Sequence, residues 1–366
     1  MFPVVVEPSW LRGQPPIRKF YVTPERCMSI RNLDFLYKPR SVALIGASKR
    51  PGSLGSVIAR NLLSSGFDGP ILPVHPRHAS VHGVLAYPDV DALPLVPDLA
   101  IIATPPETVP ELIAKLGARG TRGAVIISAG FGEIEAKAGK DLRQAMLDAA
   151  RPYLLRVVGP NTLGVLAPNG ALNASFAHLT PDPGHLAFVT QSGAIVTSVM
   201  DWAKSRGIGF SHLVSLGDMA DVDFGDMLDY LANDRDTEAI LLYMEGIKHA
   251  RKFMSAARAA SRMKPLIVVK AGRHPESAKA AASHTGALAG SDEVFDVAFR
   301  RAGMLRVDSL EELFTATETL SDIRSPRGRR LAIVTNGGGM GVLATDELLS
   351  QGGQLAELSA ETLDAL

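Results

Sequence analysis

Cysteine is almost absent from the sequence, which has only Cys27 among its 366 residues. One cysteine excludes an internal disulfide and a zinc cluster of several cysteines, and it fits the reducing cytoplasm. The charge is balanced, with 38 lysines and arginines against 38 aspartates and glutamates, so no basic excess predicts binding to nucleic acid or to an anionic membrane. No apolar run approaches the ~20 residues of a membrane span. We therefore expect a cytoplasmic protein without a nucleic-acid or membrane partner.

The length predicts two or three domains, and the hydrophobic content of 46% is enough for full cores. The 34 glycines and 24 prolines indicate many tight loops between short elements. We predict a flexible extension over residues 1–30, a first domain over 31–168, a second over 169–326 and the start of a third over 327–366. Because the last unit is too short for a complete domain, we expect a fragment of a longer polypeptide or one half of a split system.

Short apolar runs alternate with helical patterns almost throughout the chain. They lie at residues 41–46, 70–74, 99–104, 123–128 and 155–159 of the first domain and at 186–190, 211–216, 239–244, 266–270 and 304–307 of the second. Runs that are apolar on both faces and separated by helices are typical of parallel strands covered on each side. The fold class is therefore α/β: a doubly wound, Rossmann-like first domain, a compact flavodoxin-like second domain and the start of a third α/β domain.

The loop after the first predicted strand, GASKRPGSLG, has Gly46, Gly52 and Gly55 in front of a helix. Bare backbone and a helix N-terminus can hold a phosphate at such a place. The spacing is looser than in the compact dinucleotide-binding motif, and an α/β crossover can need glycine for its turn alone. Both interpretations stay open.

The second strand ends in cationic side chains, where a dinucleotide site usually has a carboxylate for the ribose hydroxyls. His75 and Arg77 lie there, and Lys49 adds a charge in the first loop. Cations at these positions suit a nucleotide with an extra ribose phosphate, such as coenzyme A or NADP, and the alternative is a solvated basic rim. Plain NAD is disfavoured, and an NADP-dependent oxidoreductase lacks an obvious acid for hydride transfer.

The loops after the third, fourth and fifth strands read ATPPE, ISAGFGE and GPNTLG. In a parallel sheet all three lie at the carboxyl edge, where open α/β sheets bind ligands. Asn161 and Thr162 offer hydrogen bonds at this edge, although Gly-Pro-Asn is equally a turn sequence.

Three features of the second domain are predicted to share one edge. Ser192 opens a helix directly after the first strand, where amides and the positive helix end suit an anion, although a simple helix cap is the alternative. Glu245 follows the third strand, and a segment of small residues with His284 follows the fourth. The first, third and fourth strands are neighbours in a flavodoxin-like order, so we expect these three side chains to meet.

A carboxylate beside an imidazole fixes the tautomer and leaves the other ring nitrogen able to attack. We therefore predict transient phosphorylation of His284 with Glu245 behind it, while a general base or an unreactive histidine are the alternatives. The acidic stretch 215–228 has four aspartates, and we interpret it as a capped helix start rather than a metal cluster. No histidine, cysteine and carboxylate spacing predicts a metal site.

Together these motifs resemble those of the NDP-forming acyl-CoA synthetases, relatives of the succinyl-CoA synthetase α subunit. The resemblance runs from about residue 33 to 366 and includes GASKRPGSLG, GPNTLG, TQSGA, LGDMADVDFGDML and SHTGALAG. It implies that His284 carries the phosphoryl group and that Glu245 orients it. The implied phosphate-binding residues are Gln191, Ser192, Gly193, Thr285 and Gly286. The implied residues for coenzyme A or acyl-CoA are Gly46, Ala47, Ser48, Lys49, Gly52, Ser53, Gly55, His75, Arg77, Thr104, Pro105, Ser128, Ala129 and Asn161.

A closer resemblance is to large bacterial proteins that join this body to an ATP-grasp domain and a GNAT acetyltransferase domain, the protein lysine acetyltransferases among them. It is carried by stretches such as GFDGPILPVHP, LNASF and DWAKSRGIGFSHLVSLGD. The resemblance implies an acid–thiol ligase that needs an ATP-grasp domain or subunit for ATP or ADP with Mg, in an oligomer. The alternative is an acyl-CoA-sensing regulatory body for a GNAT acetyltransferase.

Overall fold

The first sheet follows the predicted alternation of buried strands and helices. The computed structural model describes residues 30–132, 141–274, 276–277, 291–322 and 328–365. In chain order the elements of this part are α1 (Asp34–Tyr37), β1 (Val42–Ile45), α2 (Leu54–Ser64), β2 (Ile71–Val74), β3 (Ser80–Val81), β4 (Val84–Leu85), β5 (Leu99–Ile102), α3 (Val109–Arg119), β6 (Gly123–Ile126), α4 (Leu142–Ala150) and β7 (Arg156–Val158). Five parallel strands pair in the order β2-β1-β5-β6-β7. Strands β1, β5 and β6 are buried at every position, as expected for a sheet that helices cover on both faces.

The second sheet has seven strands, five of them parallel. Its elements are β8 (Gly164–Ala167), β9 (Leu172–Ser175), β10 (Pro183–Thr190), α5 (Gly193–Lys204), β11 (Phe210–Ser215), α6 (Phe224–Asn233), β12 (Ala239–Met244), α7 (Ala250–Ala260), β13 (Leu266–Lys270), α8 (Asp292–Ala302), β14 (Leu305–Val307) and α9 (Leu310–Asp322). The parallel strands pair in the order β11-β10-β12-β13-β14, which is the flavodoxin-like order 2-1-3-4-5. The predicted fold class is confirmed, and strands β10, β12 and β13 are neighbours.

The antiparallel hairpin of β8 and β9 is absent from the sequence-based prediction. It turns at Pro168–Gly170 and adds to the edge of the second sheet through β11, with Val165 opposite Val214. The hairpin therefore spans the predicted boundary between residues 168 and 169. On its other side it contacts the first domain, because the Asn61 side-chain amide of α2 donates to the carbonyls of Ser175 at 2.9 Å and Ala177 at 2.8 Å.

The last described unit has a strand, a helix and a second strand. These are β15 (Arg330–Leu331), α10 (Gly338–Ser350) and β16 (Gln354–Leu355), followed by the short helix α11 (Ala360–Ala365). Strands β15 and β16 pair in parallel, which is the βαβ pattern of an α/β domain. Among the helices that the structure describes, none combines the length and apolarity that a membrane crossing requires.

Candidate functional site

The glycine loop after β1 brings the start of α2 unusually close to the sheet edge. Gly46 has a φ of +90°, and a Cβ added there would lie 2.6 Å from the carbonyl oxygen of Ala103. A Cβ on Gly55 would lie only 2.0 Å from the carbonyl oxygen of Gly46. Gly46 therefore requires glycine for both its backbone conformation and its packing, and Gly55 requires it for packing. The result is a loop whose bare backbone faces the N-terminus of α2.

Two cations at the rim of this loop lack partners among the described residues. Lys49 and Arg77 are exposed, and neither side chain makes a hydrogen bond or ion pair with any residue that the structure describes. His75 instead orders the turn that presents Arg77, because its Nδ1 accepts the backbone N–H groups of Arg77 at 3.1 Å and His78 at 3.2 Å. Burial lowers the pKa of His75, and the neighbouring His78 and Arg77 lower it further, which favours the neutral ring.

The loops after β5, β6 and β7 are linked to each other along the same carboxyl edge. The Ser128 hydroxyl donates to the carbonyl of Thr104, and the backbone N–H of Asn161 donates to the carbonyl of Ser128 at 2.9 Å. Pro105 and Ala129 are exposed beside Thr104 and Ser128. The structure thus places the residues proposed from these three loops on one continuous edge.

The carboxyl edge of the first sheet meets that of the second through two loops. The backbone N–H of Asp218 donates to the carbonyl of Pro160 at 2.9 Å, and that of Ala220 donates to the carbonyl of Gly159 at 3.0 Å. Gly217 has a φ of +55°, and a Cβ there would lie 2.2 Å from the Pro160 oxygen. The loop after β7 and the loop after β11 are therefore in backbone contact.

Helix α5 begins beside this junction with Ser192 at its N-cap position. The hydroxyl of Ser192 makes no capping hydrogen bond, so the simple helix-cap interpretation does not describe it. Its backbone N–H donates to Thr190 Oγ1 at 2.9 Å. A Cβ on Gly193 would lie 3.1 Å from the Cβ of Leu163, so the first turn of α5 packs against the segment that follows Asn161.

Gln191 connects the ends of β10 and β12. Its Oε1 accepts the backbone N–H of Glu245 at 2.7 Å and that of Gly246 at 3.0 Å. The side chain is 5% exposed, and its Nε2 has no hydrogen-bond partner among the described residues. The structure therefore brings Gln191, Ser192 and Glu245 together at one edge of the sheet. His284, Thr285 and Gly286 lie outside the described residues.

Known proteins share this arrangement of two domains. Residues 40–168 match a CoA binding domain, and residues 183–320 match a succinyl-CoA ligase-like flavodoxin domain. The chain is 42% identical over 325 residues to the α subunit of ADP-forming acetate–CoA ligase I of Pyrococcus furiosus, a match that covers 88% of this chain and 70% of that subunit. The chain belongs to the ADP-forming acetate–CoA ligase family.

The chain spans only part of the length of other members of the ligase family. ADP-forming acetate–CoA ligase I of Archaeoglobus fulgidus is 42% identical over 334 residues, which cover 91% of this chain but 48% of that protein. The solved acetyl-coenzyme A synthetase 1 of Candidatus Korarchaeum cryptofilum, in complex with phosphate and ADP, superposes with a TM-score of 0.83 at 39% identity. That match covers 91% of this chain and 71% of the solved chain. The predicted synthetase family is confirmed, while a relationship to acetyltransferases is not shown.

The acidic segment of this ligase-family chain caps a helix, as the sequence predicts. Asp223 and Asp226 form a reciprocal capping box at the start of α6, and Lys252 pairs with both carboxylates at 3.0 and 2.6 Å. Arg156 of β7 contacts Asp226 at 3.3 Å and Asp221 at 2.9 Å, so the segment also ties the two domains together. Among the described residues no three His, Cys, Asp or Glu side chains are arranged to hold a metal ion.

Sequence analysis missed one charged residue at the carboxyl edge of the second sheet. Lys270 is the last residue of β13, and its side chain is 4% exposed. Burial lowers its pKa, an effect that Asp292 and Glu245 oppose and Arg306 strengthens. The available signal in the sequence was a lysine at the end of an apolar strand, β13, that neighbours β12, the strand before Glu245. It was overlooked because a lysine at a strand end is usually solvated.

Proposed function

We propose that this chain is the CoA-binding, phosphohistidine-carrying part of an ADP-forming acyl-CoA synthetase. The overall reaction is acyl-CoA, phosphate and ADP giving the free acid, CoA and ATP, and it runs in both directions. The observation that carries the proposal is the backbone contact between the two sheet edges at Pro160 and Asp218. It connects a cation-rimmed nucleotide loop to the edge with Ser192 and Glu245.

The first domain would bind the nucleotide end of CoA. The bare loop at Gly46 suits a pyrophosphate, and Lys49 and Arg77 suit the additional ribose phosphate. The thioester would then extend past Thr104, Ser128 and Asn161 toward the second edge. Inorganic phosphate, held by the amides at the start of α5, would attack the thioester carbonyl. CoA leaves as a thiol after taking up a proton, and an acyl phosphate remains.

The second step would transfer the phosphoryl group to the protein. A ring nitrogen of His284 attacks the phosphorus, the P–O bond to the acyl group breaks, and the acid leaves as a carboxylate. Glu245 would hold the other ring nitrogen and stabilise the positive charge of the phosphorylated ring. Gln191, Ser192 and Gly193 would offer oriented donors to the phosphoryl oxygens, together with Thr285 and Gly286.

The third step would need groups from an ATP-grasp domain or subunit. That partner would bind ADP with Mg and accept the phosphoryl group from the histidine, giving ATP. Two observations support this division of labour. The match covers 48% of the Archaeoglobus ligase, and the similar Korarchaeum structure was solved with phosphate and ADP. We expect an oligomer in which the two parts share one site.

The proposal is tested by incubating the protein with acetyl-CoA and labelled phosphate. We expect acid-labile, alkali-stable label on the natural protein, no label on His284→Ala and a rate about 100-fold lower for Glu245→Gln. Absence of label on the natural protein would count against phosphoryl transfer. Tight acyl-CoA binding with no label would favour a sensing role instead.

The coenzyme end is tested separately by comparing CoA with CoA that lacks the 3′-phosphate. Arg77→Gln should weaken binding of CoA about tenfold and leave the affinity for the dephosphorylated form unchanged, because one charged hydrogen bond is lost. Arg258→Gln, an exposed arginine on α7, is the matched control. Equal losses for both ligands would show that Arg77 does not contact the 3′-phosphate. Calorimetric titration of the natural protein and both variants with each ligand measures all six affinities.

A further inference from the structure

The loop that follows β12 has Glu245 at one end and Lys248 at the other. Gln191 fixes the first end, because its Oε1 accepts the backbone N–H of Glu245 at 2.7 Å. The side chain of Lys248 fixes the second end, since its Nζ donates to the backbone carbonyls of Asp218 and, at 3.2 Å, of Met219. The loop is therefore attached to the segments that follow both β10 and β11.

Asp218, which accepts one of these hydrogen bonds, is also bound to the first domain. Its backbone N–H donates to the carbonyl of Pro160 at 2.9 Å, its Oδ1 accepts the side-chain amide of Asn161 at 3.3 Å, and its Oδ2 lies 3.7 Å from Nη2 of Arg143. Three groups of the first domain and Lys248 of the second domain thus hold the same residue. Asp218 lies between the carboxyl edge of the first sheet and the loop after β12.

Hydrogen bonds consequently connect the first edge to the loop of Glu245. On the first edge, the N–H of Asn161 donates to the carbonyl of Ser128, whose hydroxyl donates to the carbonyl of Thr104. Lys248 extends this set of contacts to the loop of Glu245. Its donors are charged, and hydrogen bonds from charged donors are stronger than those between neutral groups.

The relative position of the two edges matters for the first step of the proposed reaction. The thioester would lie on the first edge and the phosphate on the second, at the start of α5, so the two reactants would be held by different domains. A displacement of about 1 Å between reacting groups costs roughly 10²-fold in rate. A cation that links the loops of both edges therefore affects the rate without touching either reactant.

We propose that Lys248 is a positioning residue that holds the thioester edge and the loop of Glu245 at a fixed separation. The inference rests on the proposed function, because this separation matters only if acyl-CoA and phosphate react between the two edges. Lys248 acts through the carbonyls of Asp218 and Met219 and is not itself a catalytic residue. It is exposed, so its replacement should leave the hydrophobic core intact.

The first test measures this attachment and does not depend on activity. Amide hydrogen exchange of the full chain is followed by mass spectrometry on peptides that span residues 216–221. These peptides include the N–H groups of Asp218 and Ala220 that donate to the first domain. We expect exchange there to be about fivefold faster in Lys248→Met, because the loop opens more often once the charged donor is lost. Unchanged exchange would overturn the inference.

Lys264 provides a matched control on the same sheet. Its Nζ likewise donates to two backbone carbonyls, those of Leu231 and Asp234, but it precedes β13 and so lies at the amino edge. Lys264→Met removes the same charge and the same kind of contact away from the site. It should leave both the exchange of residues 216–221 and the kinetics of labelling unchanged. Equal acceleration of exchange in Lys264→Met and Lys248→Met would contradict a specific role for Lys248.

The second test is the rate of labelling from phosphate at varied concentrations of acetyl-CoA. We expect the maximal rate to fall about tenfold in Lys248→Met, because the reactants are less well aligned. The concentration of acetyl-CoA that gives half the maximal rate should change by less than about twofold, because the coenzyme loop at Gly46 is untouched. A higher half-saturating concentration with an unchanged maximal rate would overturn the proposal, since Lys248 would then bind acyl-CoA directly.

The two tests distinguish failure of this inference from failure of the proposed function. A natural protein that takes no label would refute the proposed function, while hydrogen exchange would still test the attachment made by Lys248. Natural labelling with an unchanged maximal rate in Lys248→Met would refute the role of Lys248 alone. If Lys248→Met does not fold, Lys248→Ala replaces it in both tests.

Discussion

Replacing Gln191 by leucine should separate the structural and chemical roles of the strand edge. The substitution removes the oxygen that accepts the N–H groups of Glu245 at 2.7 Å and Gly246 at 3.0 Å. A buried donor left without an acceptor costs about 1–3 kcal/mol. Gly246 is buried and Glu245 is half-buried, so water can compensate only part of the loss. We expect the free energy of unfolding to fall by about 2–4 kcal/mol.

Gln191→Glu should reduce the rate of labelling more than it reduces stability. A carboxylate still accepts both N–H groups, so we expect a smaller loss of stability than in Gln191→Leu. It also puts a negative charge where phosphate would bind and replaces the Nε2 donor, which has no partner among the described residues. Labelling from acetyl-CoA and phosphate should therefore be slower by roughly 10²-fold, the usual effect of losing one oriented donor.

Urea unfolding and the labelling assay together decide between these expectations. Gln144→Leu is the control, because Gln144 is exposed on α4 and its side chain contacts only the exposed Asp148 among the described residues. We expect that variant to change stability by less than about 0.5 kcal/mol. The reasoning is wrong if Gln191→Leu is as stable as Gln144→Leu, or if Gln191→Glu takes up label at the natural rate.

Three further predictions concern other parts of the chain. Gly55→Ala places a Cβ 2.0 Å from the Gly46 oxygen, so α2 must shift and the affinity for CoA should fall at least about tenfold. Calorimetry measures that affinity, and an unchanged value would contradict the assignment of this loop to CoA. Burial lowers the pKa of His212 to about 4, so the natural chain should lose roughly 3 kcal/mol of stability as the pH falls from 6.5 to 4. Stability from urea unfolding should depend less on pH in His212→Phe, and parallel pH profiles of the two proteins would refute this. Asp223→Ala removes the capping box of α6 and should cost about 1–2 kcal/mol in the same assay, and a neutral result would show that Lys252 holds the helix start alone.

The sign of the His212 prediction follows from proton binding. The folded protein keeps this ring neutral down to about pH 4, while the unfolded chain takes up a proton near pH 6.5. The stabilising effect is therefore complete above pH 6.5 and is lost as the pH falls toward 4. The histidine is 2% exposed, so the effect of salt on it should be small.

The fold could be predicted because central parallel strands are continuous apolar runs. Residues 239–244 and 266–270 agree with β12 and β13 at both ends. The hairpin at 164–175 could not be predicted in the same way, because its strands have four residues each and their place depends on pairing with β11. Pro168 and Gly170 were the available turn signal.

Only the part of the site that follows from strand topology could be predicted from the sequence. The order of the parallel strands puts Ser192 and Glu245 at one edge, independently of their side-chain contacts. The contacts that define the site depend on tertiary register, such as Gln191 accepting from Glu245 and Gly217 packing on Pro160. These pairs are far apart in the sequence, and no local pattern encodes them.

The hairpin of β8 and β9 joins the second sheet to helix α2 of the first domain. Its strand β8 pairs with β11 on one side, and on the other the carbonyls of Ser175 in β9 and of Ala177 just after it accept hydrogen bonds from the Asn61 amide of α2. Cutting or grafting the chain at residue 168 would remove the strand that pairs with β11. The exposed edge of β11 would then be prone to aggregation. A chimaera that exchanges the first domain must therefore keep the hairpin together with both of its partners, β11 and α2. Recombination during evolution faces the same constraint, so the two modules are expected to be inherited as one piece.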